Sequence, residues 1–124
     1  MSTPYSISGS LDYPPDDGQP IAKRPFSQSG TFDSKQESEI VLSGSGSHDV
    51  DLGTVANIKA ILVEVAGSSQ AAINIRLNGG TVDMEVSPGG FFAYSNPVPN
   101  TGVDQIEITY TADARVLIRV LGDH

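Results

Sequence analysis

His48 and His124 are the only imidazoles in this 124-residue chain, which has no cysteine, so few side chains are suited to moving protons near neutral pH. A serine or threonine nucleophile needs such a base within hydrogen-bond reach. His48 follows a Gly-Ser tract at the head of a candidate strand, and His124 is the last residue. Gly44-Ser45-Gly46 belongs to that tract rather than to a strand-to-helix elbow. Carboxylates occur in pairs: Asp16-Asp17, Glu37 with Glu39, Asp49 with Asp51, and Asp83 with Glu85. Positions two apart on a strand share a face, so the last three pairs have the spacing to chelate a hard cation or to act as acid and base. The same spacing lines the solvent face of a strand with charge, which opposes edge-to-edge aggregation, and that reading is preferred. The turn Asp16-Asp17-Gly18 is the better calcium candidate, because a turn wraps an ion and a flat strand does not. Neither Asn78-Gly79-Gly80 nor Pro88-Gly89-Gly90 opens a helical pattern, so neither cradles phosphate. The expectation is a protein with no catalytic residue, no metal and no cofactor.

Composition narrows the partners. Fifteen acids against seven bases give a net charge of −8, and Lys23, Arg24, Lys35, Lys59, Arg76, Arg115 and Arg119 are scattered. Binding to a phosphate backbone draws its affinity from clustered Lys and Arg, so nucleic acid is set aside. Without cysteine there are no disulfides or thiolate metal sites. The start, Met1-Ser2-Thr3-Pro4-Tyr5, lacks the pattern of a secretory signal, and the longest apolar run, Ala60 to Val63, is too short to span a bilayer. A soluble protein made in the cytoplasm, with no membrane partner, is expected.

The elements are β throughout. Ile73, Ile75 and Leu77 alternate with Asn74 and Arg76. After a glycine turn, Val82, Met84 and Val86 alternate with Asp83 and Glu85. Period two with breakers at this spacing predicts hairpins. Tyr5, Ile7, Gly9, Leu11 and Tyr13 share a face opposite Ser6, Ser8, Ser10 and Asp12, which predicts a strand with a seryl outer face. Residues 14–29, with Pro14, Pro15, Pro20 and Pro25, read as a long loop or extended arm. Strands are expected around Phe32, at Ile40 to Leu42, from His48 to Leu52, and at Phe91 to Ser95. Val103 to Thr111 and Arg115 to Leu121 complete the set. Ile58 to Val65 is apolar on both faces in its middle, as in a central strand covered on both sides. About nine strands and a Gly-plus-Pro count of 21 predict an all-β, two-sheet antiparallel β-sandwich of jelly-roll type with an extended N-terminal arm. Its parts are an N-terminal strand and arm (residues 1–29) and a sandwich (residues 30–124).

Three features suggest binding rather than chemistry. Prolines hold the arm extended and lower the entropy lost on docking, which nominates Tyr13, Pro14, Pro15, Pro20, Pro25 and Phe26 as contacts. Phe91 and Phe92 must point to opposite faces of a strand, so one ring enters the core. The other meets solvent or a partner beside Tyr94, unless the loop of Pro97 and Pro99 covers it. A Ser-, Thr- and Gly-rich skin resists aggregation.

The run Leu77-Asn78-Gly79-Gly80, Ser87-Pro88-Gly89-Gly90-Phe91, Asn96-Pro97, Gly102, Ile106-Glu107-Ile108-Thr109 and Val116 to Asp123 resembles small structural proteins of tailed-bacteriophage virions. Among these it is most similar to capsid decoration (cement) proteins, a likeness covering roughly residues 50–123. No catalytic or ligand residue carries over. The resemblance implies a protein synthesised in the host cytoplasm that binds the major capsid protein on the assembled head, usually as a homo-oligomer, a trimer above all. A tail or baseplate component is the alternative within that class. A carbohydrate-binding module is the alternative outside it, weakened by the absence of Trp and by an inward position for Tyr110.

Overall fold

A computed structural model describes residues 2–78, 83–96, 103 and 105–124, and contains ten strands among them. These are β1 (Thr3–Tyr13), β2 (Ala22–Phe32), β3 (Ser34–Leu42), β4 (Gly46–Asp49), β5 (Asn57–Val65), β6 (Ile73–Leu77), β7 (Met84–Val86), β8 (Phe91–Ser95), β9 (Ile106–Tyr110) and β10 (Ala114–Asp123). The last eight make two four-stranded antiparallel sheets, ordered β3-β10-β5-β8 and β4-β9-β6-β7. Pairing is nested. β3 joins β10, β4 joins β9, β5 joins β8 and β6 joins β7, as in one long hairpin wrapped around itself.

Alternation in the sequence explains why the two sheets meet. Ile73 and Ile75 on β6, Ile106 and Ile108 on β9, Val63 on β5, and Val116, Ile118 and Val120 on β10 are all essentially inaccessible and form one cluster. β-Branched side chains suit both the pleat and the flat layer between two sheets. At roughly 25 cal/mol per Å2 of apolar surface, this layer is the main favourable term. Tyr110 packs against the cluster on the inner face, as its place in the alternation predicts.

The N-terminal region departs from expectation. Residues 14–29 are not a long loop. β2 occupies residues 22–32 and pairs with β1 along eleven residues, so the loop is confined to residues 14–21. The arm is therefore a two-stranded ribbon, about 36 Å long at ~3.3 Å per residue. Pro25 is tolerated opposite Ser10 because both strands of an isolated ribbon are edges, where a missing N–H need cost no ladder bond. Two glycines are used for close approach. The Phe26 ring lies over Gly9 and the Tyr5 ring over Gly30, each the residue directly opposite in register.

A bulge joins ribbon and sandwich. Leu121 stands opposite Ala60 but Gly122 stands opposite Ile58, leaving Lys59 as an extra residue on β5. An extra residue turns its side chain out of the alternation. Ile58, Lys59, Ala60 and Ile61 are consequently all buried, which gives β5 its two-sided burial at this end. The Lys59 ammonium donates to the Thr31 carbonyl at 2.9 Å and pairs with the Asp123 carboxylate at 3.0 Å. One side chain thus ties β2 and β10 to β5. Replacing Lys59 with methionine keeps the stem and deletes these bonds. We expect a loss of about 1–3 kcal/mol, since the half-exposed Asp123 regains water. Urea unfolding should report it, with faster amide exchange at Gly30 to Asp33; an unchanged midpoint would refute the role.

Candidate functional site

Register alone defines the outer face of the β3-β10-β5-β8 sheet. Three rows cross it: Glu39, Leu117, Glu64 and Phe91; then Glu37, Arg119, Leu62 and Ala93; then Lys35, Leu121, Ala60 and Ser95. Apolar side chains run through all three. Phe91 is 67% exposed and Val41, beside Arg115 on the same face, 69%. Charges on this face balance, with Arg115 held to Glu39 at 3.0 Å and Arg119 to Glu64 at 3.7 Å.

The opposite outer face, on β4-β9-β6-β7, is different. Asp49, Glu107 and Arg76 form one row, and Ser47, Thr109, Asn74 and Glu85 another. Among the described residues its one cation, Arg76, hydrogen-bonds Asp83, which holds that carboxyl below its usual range and raises the guanidinium. This face is polar and acidic, whereas the first mixes apolar side chains with balanced charges.

The base of the β1-β2 ribbon sits on the apolar face. The Tyr5 hydroxyl lies 3.4 Å from the Lys59 carbonyl, to which it donates, and 3.2 Å from Ser95 Oγ. Phe32 packs beside Tyr5 with ring centroids 6.4 Å apart. The Asp33 amide donates to the Gly122 carbonyl, and the His124 amide to the Asp33 carboxylate. A groove of about 300 Å3 opens on one side of the base, lined by Tyr5, Ile7, Phe32, Ala60, Leu62 and Leu121. A second, of about 250 Å3, lies between Ile7 and Phe26 of the ribbon and Ala93 and Tyr94 of β8.

Beyond its base the ribbon is uncovered. One face carries Ile7, Leu11, Tyr13, Ala22 and Phe26, with Arg24 and Gln28 among them, and the other Ser6, Ser8, Ser10, Asp12, Lys23, Pro25 and Ser27. Leu11 is 63% and Phe26 52% exposed, and Tyr13 and Ile21 at the loop are exposed as well. A two-stranded ribbon is marginal in water by itself, so an apolar face of this kind calls for a cover.

No protein-family model, curated protein or solved structure matches this chain.

The nominated contact residues divide accordingly. Tyr13, Pro14, Pro15, Pro20, Pro25 and Phe26 are all exposed on the ribbon or its loop, and Phe91 is exposed on the neighbouring sheet. Phe92 and Tyr94 are not contact residues of this face, because both turn inward and pack against the core. Tyr94 therefore does not stand beside Phe91. Pro97 and Pro99 lie outside the described residues. Leu11, Ile21, Val41, Leu62 and Leu117 join the face without having been nominated. The available signal was β10, whose outer positions Leu117 and Leu121 are apolar although its inner positions already fill the core.

His48 is half-buried on β4 opposite Ile108. Among the described residues, no group of three or more His, Asp and Glu is placed to hold a metal ion, the Asp16-Asp17-Gly18 turn included. In that turn the Gln19 amide donates to the Asp16 carbonyl at 3.0 Å.

Proposed function

We propose that this protein acts by binding protein, as a structural component of a tailed-phage virion that decorates the assembled head. The observation that carries the reading is an amphipathic ribbon whose apolar face is left in water beside a sheet face that mixes apolar side chains with balanced charges. A ligand that binds an assembled lattice and not its free subunits stabilises the lattice by mass action. Many copies, each burying about 800 Å2 per partner, brace neighbouring capsid subunits against packaged DNA. The nested strand pairing supports reading the sandwich as a jelly roll, two Greek keys closed on one core. This architecture is compatible with the virion reading.

The test shortens the ribbon without disturbing its base. Joining Ser8 to Ser27, which are opposite in register, through Asn-Gly removes residues 9–26 and keeps Tyr5, Gly30 and Phe32. The shortened protein should unfold at nearly the same temperature yet fail to co-sediment with purified heads. Full retention on heads would remove the ribbon from the interface, and attachment of the intact protein to tails alone would move the assignment there.

A further inference from the structure

We infer that the apolar face of the ribbon docks on the apolar sheet face of a second copy of this chain, so that copies associate by exchanging ribbons. Three observations select a copy as the occupant. The first is self-complementarity. One molecule leaves uncovered both apolar side chains of its ribbon and loop (Leu11, Tyr13, Ile21, Phe26) and apolar side chains of its sheet (Val41, Phe91), its own sheet covering only the ribbon base around Tyr5, Ile7 and Phe32.

The second is charge. Two copies at −8 repel, and they repel least through surfaces that carry no net charge. On the sheet face Lys35, Arg115 and Arg119 balance Glu37, Glu39 and Glu64. The ribbon and its loop come close to balance, with Lys23 and Arg24 against Asp12, Asp16 and Asp17, a net charge of −1. A basic partner would instead be drawn to Asp49, Glu85 and Glu107 on the opposite face.

The third is area. Four large side chains, between two-fifths and two-thirds exposed, leave on the order of 400 Å2 of apolar ribbon surface in water. A comparable area on the receiving sheet brings the total to about 800 Å2 per copy, the size of a standard stable interface. Neither surface alone reaches that figure; reciprocal exchange does. The groove of about 300 Å3 beside the ribbon base, lined by Ile7, Phe32, Leu62 and Leu121, is the seat for the incoming tip.

The inference does not depend on the partner being a phage head, and its test contains none. Sedimentation equilibrium of the full chain, over about 1 to 100 μM, should give a mass at least ~2-fold above the 13.0 kDa of one chain. Leu11→Ser with Ile21→Ser leaves the Phe26–Gly9 contact intact and should give 13.0 kDa with unchanged thermal unfolding. Val41→Ser with Phe91→Ser should do the same. Mixing the two variants restores one intact ribbon-on-sheet contact, half of the reciprocal interface, so the mixture should associate more weakly than wild type but more than either variant alone. Thr109→Ser, on the acidic face, should leave the mass as in wild type. A wild-type mass of 13.0 kDa throughout, or association that survives both pairs of substitutions, overturns the inference.

Discussion

Gly122→Ala is expected to release the ribbon from the sandwich and to lower stability more than any conservative surface change. A Cβ built at Gly122 falls 2.0 Å from the Asn57 carbonyl oxygen and 2.8 Å from its carbon. Those are backbone atoms, so no rotamer change relieves the clash and β5 or β10 must move. Overpacking typically costs about 1–3 kcal/mol, and a backbone collision belongs at the top of that range or beyond it. The location matters as much as the magnitude. Gly122 closes the bulge that buries Lys59. Its carbonyl accepts from Asp33, and the next residue binds both Lys59 and the Ala56 amide. Hydrogen exchange should show the protection of residues 30–34 and 56–60 falling further than that of β6 and β9. Uniform loss across the molecule, or none, would contradict a hinge at this point.

Ile108→Ala is expected to cost about 2–5 kcal/mol, as for a buried isoleucine emptied of three carbons. Ile108 is fully inaccessible at the middle of β9, between His48 on β4 and Ile75 on β6. Domains of this size have only about 5–15 kcal/mol in total. At about 3–5 °C per kcal/mol, a 3 kcal/mol loss lowers Tm by roughly 10–15 °C. Val41→Ser on the outer face should change the monomer's stability by less than about 0.5 kcal/mol. Calorimetry of the two variants separates core from contact surface. Similar losses for both would mean that the outer face is also structural in the single chain.

The contrast between these residues shows where sequence reasoning succeeds. Ile106, Ile108, Val116, Ile118 and Val120 were legible as inward because a half-buried strand can satisfy its two environments only by alternating. The same rule separated Phe91 from Phe92 but said nothing about which ring would be covered. It also described β1 correctly while missing β2, where Pro25 and two lysine-arginine positions mask the pattern. Proline argues against a strand only if the strand is central, and a local reading cannot know that β2 has a single neighbour. Tyr94 would stand beside an exposed Phe92, but the exposed ring is Phe91, and an odd separation in a strand puts Tyr94 on the other side.

Local pattern determined that this chain is all-β and which residues fill the layer between its sheets, because these depend on side-chain alternation within a few residues. Only tertiary structure decided that the arm is a ribbon, that Lys59 leaves the alternation to clamp it, and that one outer face mixes apolar side chains with balanced charges while the other is acidic. Each of those depends on registers between strands far apart in the chain, and a shift of one residue in pairing would turn every one of these side chains to the other side.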